Sequence, residues 1–203
     1  MNIYFTSDTH YAHKNIVRGT SSWSEDVSSH TGQNTRNFDT LEEHNAAIVK
    51  GINDIVGPDD VLWHLGDWSF GGFNNIKKFR DQINCRNIHL ILGNHDHHIE
   101  NNKENIRDLF SSVQYYKELS LHGHKVVLLH YGMRVWNKSH KGAIHLFGHS
   151  HNTLPPHGKS MDVGVDCAFE KFGVYRPFSW MEIQSIMSKR ESEIVDHHNI
   201  NTN

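Results

Sequence analysis

The chain has few of the residues that cross-link or stiffen small secreted domains. Its 203 residues include two cysteines, Cys85 and Cys167, and four prolines, too few cysteines for a disulfide framework. No apolar run approaches the roughly 20 residues that cross a bilayer. The first ten residues also lack the basic start and apolar block of a signal peptide. These absences predict a cytoplasmic protein with no membrane partner.

The chain also lacks a large excess of charge of either sign. Lys and Arg number 20 against 23 Asp and Glu, a formal net charge of -3, which gives no sign of a broad nucleic-acid-binding surface. Histidine, in contrast, is abundant, with 19 residues. Because imidazole is the commonest metal ligand and titrates near neutral pH, this excess points to metal chemistry.

Length and composition predict one domain. A chain of 203 residues with 36% hydrophobic content is long enough for a single sizeable core. We expect this domain to cover residues 1–188, followed by a polar and flexible tail over 189–203. The polar stretch over residues 20–37 is too long for a turn and is typical of a functional or a mobile loop.

Hydrophobic periodicity predicts strands that alternate with helices. Strands are expected at residues 2–7, 61–65, 87–92, 113–121, 125–129, 143–147 and 161–165. Helices are expected at about 40–56, 76–83, 102–109 and 180–187, with capping boxes at Thr40 and Glu43 and at Ser179 and Glu182. This order predicts an α/β sandwich with one mixed sheet or two sheets face to face. In such folds the reactive residues follow the carboxyl ends of the strands.

Five of the apolar runs end in side chains that bind metals. In chain order these are Asp8 and His10, then Asp67, then Asn94, His95 and Asp96, then His130, and finally His149 and His151. Taken singly, an aspartate at such a place is often a turn former or a helix cap, and a histidine is often a surface residue. Taken together, and with a glycine beside three of the runs that allows close approach of the backbone, they indicate one shared site.

The residue types restrict the metal. Oxygen and nitrogen ligands without a thiolate favour ions such as Mn, Fe or Zn over a cysteine-built structural zinc or an all-oxygen calcium site. Two such ions about 3.5–4 Å apart form a clamp for in-line displacement at phosphorus.

The ordered motifs D-x-H, G-D, G-N-H-D, H and G-H-x-H over residues 8–151 resemble those of the calcineurin-like metallophosphoesterases. The resemblance is nearest to the small bacterial and phage-type members. It implies a four-layer α/β/β/α sandwich with two mixed sheets, and a hydrolase of phosphate mono- or diesters in which a metal-bridging hydroxide attacks. The stretch GDWSFGG at 66–72 lacks the Asp and Arg of the G-D-x-x-D-R-G motif of the family's protein phosphatases, which argues against a phosphoprotein substrate.

The resemblance also implies a role for each position. One metal is expected on Asp8, His10 and His151, the other on Asn94, His130 and His149, with Asp67 bridging them. His95 is expected to protonate the leaving oxygen as the general acid, held in orientation by Asp96. The two divalent ions are expected to be Mn²⁺, with Fe, Zn, Ni or Mg as alternatives.

Several side chains beyond the ligands are candidates for substrate contact. Lys14, Arg18 and Arg134 could hold phosphate oxygens, and solvated surface charge is the alternative for each. Aromatic residues near the motifs, Trp23, Trp68, Tyr131 and Trp136, could stack a nucleobase or pack in the core. A small phosphoester, nucleotide-like in one interpretation, is therefore the expected partner.

Two other functions stay open from the sequence. The first is a non-catalytic binding or scaffold module on the same fold, like the retromer subunit that resembles these enzymes. The second is a histidine-rich metal buffer, which would have many weak and interchangeable sites in place of about two tight ones.

Overall fold

The computed structural model describes residues 1–18 and 36–196. All but the last two residues of the predicted loop over 20–37 lie outside the described residues, as does the end of the tail from residue 197. The division into a domain at 1–188 and a flexible tail at 189–203 stays a prediction. Within the described ranges, none of the helices has both the length and the apolar character needed to cross a membrane.

The described residues form strands and helices in an alternating order. The strands are β1 (Ile3–Thr6), β2 (Val61–His64), β3 (Asn87–Ile91), β4 (Ser112–Gln114), β5 (Tyr116–Leu121), β6 (His124–Leu129), β7 (Ile144–Phe147), β8 (Ser160–Asp162) and β9 (Phe178–Ser179). The helices are α1 (Leu41–Asn53), α2 (Phe73–Gln82), α3 (His97–Glu100), α4 (Val165–Phe172) and α5 (Trp180–Met187).

The strands make two mixed sheets. The first sheet has the order β4-β3-β2-β1-β9, in which β1 to β4 are parallel and β9 is antiparallel to β1. The second sheet has the order β5-β6-β7-β8, in which β5 is antiparallel to β6 while β6, β7 and β8 are parallel. The predicted two-sheet α/β fold is confirmed.

Side chains alternate across the sheets and fill separate cores. On the outer face of the first sheet, Leu62 and Leu90 pack with Ile48 of α1 and Phe79 of α2. Between the sheets lie residues from both of them and from α5: Phe5, Trp63, Ile91, Val126, Leu128, Ile144, Leu146, Trp180 and Ile183. On the far face of the second sheet, Val127 is covered by Trp136 and Ala143, next to a short 3₁₀ segment, Ser139–Lys141.

Two helices begin at the predicted capping boxes. The Thr40 hydroxyl accepts from the N–H of Glu43 while the Glu43 carboxylate accepts from the N–H of Thr40. Ser179 and Glu182 make the same reciprocal pair at the start of α5. Each box satisfies main-chain donors that a helix start leaves unpaired.

The predictions for three other segments were inaccurate. The strand expected over 113–121 is two strands in different sheets, β4 and β5, because the chain crosses between the sheets at Tyr115. The helix expected at 102–109 is a 3₁₀ segment, Lys103–Leu109, interrupted by left-handed backbone at Glu104 and Asn105. Helix α4 was not predicted, because its start overlaps the apolar run assigned to a strand over 161–165.

Candidate metal centre

The predicted ligands lie on the loops that follow β1, β2, β3, β6 and β7. Main-chain bonds join the first two of these loops: Asp8 N–H donates to the Gly66 carbonyl and His10 N–H to the Asp67 carbonyl, both at 3.0 Å. Trp68, fully buried in the core beneath α2, anchors the same loop. The carboxyl ends of strands from two sheets therefore meet at one edge of the sandwich.

Five of the predicted ligands have left-handed backbone. The φ angles are 57° at Asp8, 46° at His10, 56° at Asp67, 66° at His149 and 46° at His151. This region costs an L residue roughly 1–2 kcal/mol, and such outliers collect at functional sites where the surrounding structure maintains them. Seven other described non-glycine residues also have positive φ, but five of the seven predicted ligands share this conformation, which indicates a site built for function.

The first ligand set is buried. Asp8, His10 and His151 each place a ligand atom within 4.8 Å of the others. Oδ1 of Asp8 lies 3.9 Å from Nε2 of His10 and 3.9 Å from Nε2 of His151. Nε2 of His10 is buried and has no hydrogen-bond partner among the described residues, an arrangement that a cation bound there would complete.

The second ligand set is adjacent. Asp67, His130 and His149 also place ligand atoms within 4.8 Å of one another. The amide oxygen of Asn94 lies 3.2 Å from Nε2 of His130 and 2.9 Å from Nδ1 of His149. The four side chains thus lie together, and His149 turns its Nδ1 toward the amide oxygen.

Asp67 connects the two sets. Its Oδ2 lies 3.4 Å from Nε2 of His10 and 3.6 Å from Nε2 of His130. Its Oδ1 accepts the N–H of His95 at 2.9 Å. One carboxylate therefore faces histidines of both sets and also fixes the backbone of the predicted acid.

The ligand histidines are oriented through their other ring nitrogens. Nδ1 of His130 lies 2.7 Å from the Leu65 carbonyl, which can only accept, so His130 donates there and leaves Nε2 for a metal. Nδ1 of His151 lies 2.8 Å from the Asp166 carboxylate. Nδ1 of His10 lies 3.3 Å from Nδ1 of His13. Such outer partners fix the tautomer and the ring direction of a metal ligand.

The Asp96 carboxylate accepts hydrogen bonds from main-chain N–H groups. Its Oδ2 accepts from the N–H groups of Asp67 and Gly93, both at 2.8 Å, and its Oδ1 accepts from that of Trp68 at 3.0 Å. The described hydrogen bonds of the carboxylate go to these main-chain donors and none of them joins it to the His95 ring, so the orienting role of Asp96 stays a prediction. Asp96 stabilises the loop that carries the bridging Asp67.

His95 lies at the open side of the centre. The ring centroid of His95 is 5.2 Å from that of His10, and His95 is partly exposed. A ligand atom of His95 also lies within 4.8 Å of those of His10 and Asp67, so proximity by itself fits either a metal ligand or an acid that faces the substrate.

Glycines allow these loops to approach. A Cβ on Gly93 would lie 2.3 Å from Oδ1 of Asp67, and a Cβ on Gly148 would lie 2.4 Å from Oδ2 of Asp8. Both distances are far below a van der Waals contact. The glycines next to the motifs are therefore required by the close packing of the ligand loops.

Burial shifts the pKa values of the side chains in the first ligand set. Desolvation raises the pKa of Asp8 to about 6, against the opposing effect of His151 and His130. Desolvation, reinforced by His151, holds the pKa of His10 well below its usual value. A divalent cation favours ionised carboxylate and neutral imidazole, so the chemistry of the set fits a metal.

The cationic side chains predicted to contact substrate do not converge on the centre as the predicted ligands do. Arg18 is 59% exposed and pairs with Asp39 at 3.2 Å. Lys14 and Arg134 are exposed, and no described contact joins either of them to the ligand side chains. Their role in substrate binding stays a prediction.

The aromatic candidates differ in exposure. Trp68 and Trp136 are buried in two of the cores, and Trp23 lies outside the described residues. Tyr131, in contrast, is 45% exposed, and its ring centroid is 4.8 Å from that of His149. Of the described candidates, only Tyr131 is thus available at the rim of the centre.

Two partners of the centre were missed from sequence. Asp166 follows β8 closely in the chain, so the same strand-end rule could have found it. Arg36, which is fully buried against Asp166, lies at the end of a polar stretch with no periodicity, and no sequence signal distinguishes it there.

Two facing mixed sheets form an α/β sandwich, and the imidazole and carboxylate clusters at their common edge could hold metal ions. The profile of the calcineurin-like phosphoesterases matches residues 1–198, and the chain belongs to this family. The predicted family is confirmed. Membership indicates phosphoesterase activity on small phosphoesters with divalent metals.

Two relatives and one solved structure are similar to this chain over different lengths. The uncharacterized protein MJ1445 of Methanocaldococcus jannaschii is 28% identical over 173 residues, 81% of this chain and 81% of that protein. The Gene 66 protein of Mycobacterium phage L5 is 36% identical over 98 residues, 47% of this chain and 40% of that protein. The crystal structure of the protein of unknown function AQ665 from Aquifex aeolicus aligns with a TM-score of 0.63 and 21% identity, covering 91% of this chain and 98% of that one. This last likeness concerns the fold alone.

Proposed function

We propose that the chain is a hydrolase of phosphate mono- or diesters that uses two divalent ions, with Mn²⁺ preferred and Fe, Zn, Ni or Mg as alternatives. The observation that carries this proposal is the position of Asp67, whose Oδ2 lies within 3.6 Å of histidine nitrogens from both ligand sets. A carboxylate between two ligand sets is typical of two-metal phosphoester hydrolases.

Each proposed ion would have its own set of ligand residues. Asp8, His10 and His151 would hold one ion, Asn94, His130 and His149 the other, and Asp67 both. When bound, such ions supply Lewis-acid charge to the phosphoryl oxygens and lower the pKa of water. The buried carboxylates and the oriented imidazoles keep the ligand atoms in position before substrate arrives.

His95 is proposed to give a proton to the leaving oxygen. Its main chain is fixed by Asp67 at 2.9 Å while its ring remains partly exposed, so a substrate can reach the ring. The leaving group would then lie on the His95 side of the centre. Tyr131 borders His149, where it could contact a nucleotide-like substituent of a diester. A cytoplasmic location remains part of the proposal.

The test is hydrolysis of p-nitrophenyl phosphate and its bis ester with added Mn²⁺. The His95→Ala variant should lose about 10²–10⁴-fold in turnover, the usual contribution of a general acid, while metal analysis shows an unchanged Mn²⁺ content. His97→Ala is the matched control, because His97 is an exposed histidine two positions further along the chain.

Two results would contradict the proposal. Loss of metal from His95→Ala would make His95 a ligand. No hydrolysis of either ester by the wild-type chain with metal bound would favour the scaffold alternative.

A further inference from the structure

A buried ion pair lies behind the first ligand set. Arg36 is 0% exposed and Asp166 is 3% exposed. Nε of Arg36 donates to Oδ1 of Asp166 at 2.9 Å, and Nη2 donates to Oδ2 at 2.7 Å. This two-bond geometry is the strongest form of an arginine–carboxylate contact, and it joins residues 130 positions apart.

The remaining donors of Arg36 go to the loop that follows β1 and to α1. Nη2 donates to the Asp8 carbonyl at 2.5 Å, and Nη1 donates to the Thr9 carbonyl at 3.4 Å and to Nε2 of His44 at 3.2 Å. All five N–H groups of the guanidinium therefore have acceptors. Two of them hold the backbone of Asp8 and Thr9, where Asp8 adopts its left-handed conformation.

Asp166 extends the contact to a second ligand. Its Oδ2 also lies 2.8 Å from Nδ1 of His151. An ionised carboxylate can only accept, so His151 donates from Nδ1, and its neutral ring has the lone pair on Nε2. That lone pair belongs to the nitrogen that lies 3.9 Å from Oδ1 of Asp8.

Stability is a poor explanation for this pair. Taking two charges out of water is costly, and apolar side chains of similar volume often do as well or better. The contacts of the pair are also one-sided, because they reach Asp8 and His151 of the first ligand set. No described contact of Arg36 or Asp166 reaches Asn94, His130 or His149.

We propose that Arg36 and Asp166 are positioning residues that set the affinity of the first metal subsite, formed by Asp8, His10 and His151, independently of the second. The inference rests on the proposed function only in taking these ligand sets as metal sites. Loss of outer partners typically lowers metal affinity 10–100-fold, and here the loss falls on one ion of the two.

The experiment measures Mn²⁺ bound per chain by equilibrium dialysis over a range of free Mn²⁺, together with the unfolding temperature of each variant. Arg36→Met and Asp166→Asn should weaken one binding step 10–100-fold and leave the other in place. Arg36→Lys should recover part of the affinity, since Lys keeps the charge but not the five donors. Arg80→Met is the matched control, because half-buried Arg80 donates to carbonyls of Ile83, Arg86 and Leu109 away from the centre.

Each result decides the inference. One weakened step, with the control unchanged, supports it. Equal weakening of both steps, or no weakening in a folded variant, overturns it, as does a wild-type chain that takes up fewer than two ions. A chain that binds two ions but hydrolyses no phosphoester contradicts the proposed function alone, so the two failures are distinguishable.

Discussion

His64 should make the protein less stable in mild acid. The residue is fully buried, and both ring nitrogens have partners: Nδ1 accepts from Gly66 N–H at 3.3 Å, and Nε2 donates to the Thr9 hydroxyl at 2.9 Å. That hydroxyl in turn donates to the Trp68 carbonyl at 2.7 Å. The network requires a neutral ring. Burial, reinforced by nearby His130, lowers the pKa of His64 to about 3.

The sign follows from the two pKa values. In the unfolded chain a histidine titrates near pH 6.5. Below this pH the unfolded state therefore binds a proton that the folded state does not bind. The stabilising contribution of the neutral His64 ring to the free energy of unfolding is complete above about pH 6.5. It is lost as the pH falls toward the pKa of His64 in the folded state. One pKa unit corresponds to about 1.4 kcal/mol, so at pH 5 the loss from this one ring is about 2 kcal/mol.

The assay is urea unfolding at pH 7 and pH 5 with a chelator present throughout, so that metal release does not contribute. His64→Gln can still donate and accept but cannot titrate. Its deficit in unfolding free energy against wild type should therefore be about 2 kcal/mol smaller at pH 5 than at pH 7. His97→Gln, at an exposed histidine, is the control and should show no such change. An equal deficit for His64→Gln at both pH values would refute the reasoning.

Two further substitutions test the loops and the helix start. Gly93→Ala should lower the affinity for Mn²⁺, measured by dialysis, at least about 10-fold while the circular dichroism spectrum stays native. The reason is that the added Cβ would lie 2.3 Å from Oδ1 of Asp67 and 2.9 Å from Cε1 of His130. Full Mn²⁺ uptake by this variant would contradict the prediction. Thr40→Ala should cost about 1 kcal/mol in urea unfolding because the capping box with Glu43 is lost, and a change near zero would show that the cap adds nothing.

Much of the candidate centre could be predicted because its proposed ligands follow apolar runs. The carboxyl ends of parallel strands share an edge, so Asp8, Asp67 and Asn94 were expected together, and the structure brings them together. The starts of α1 and α5 were predictable for a local reason, since a capping box depends on residues three positions apart.

The rest depends on contacts between distant residues. Arg36 and Asp166 are 130 positions apart, and no local pattern reports their pairing. Asp96 was assigned to the His95 ring because the two are neighbours in sequence, and the hydrogen bonds of its carboxylate to the N–H groups of Asp67, Trp68 and Gly93 were not predicted. The start of α4 was hidden by an apolar run that is equally compatible with a strand.

The crossing of the chain at Tyr115 divides the proposed metal centre between two halves of the polypeptide. The residues before it supply Asp8, His10, Asp67 and Asn94, and those after it supply His130, His149 and His151. Each of the two proposed metal subsites takes ligands from both halves, so its full set of ligands forms only when the two sheets have docked. Uptake of both proposed ions during refolding should therefore report the joining of the halves.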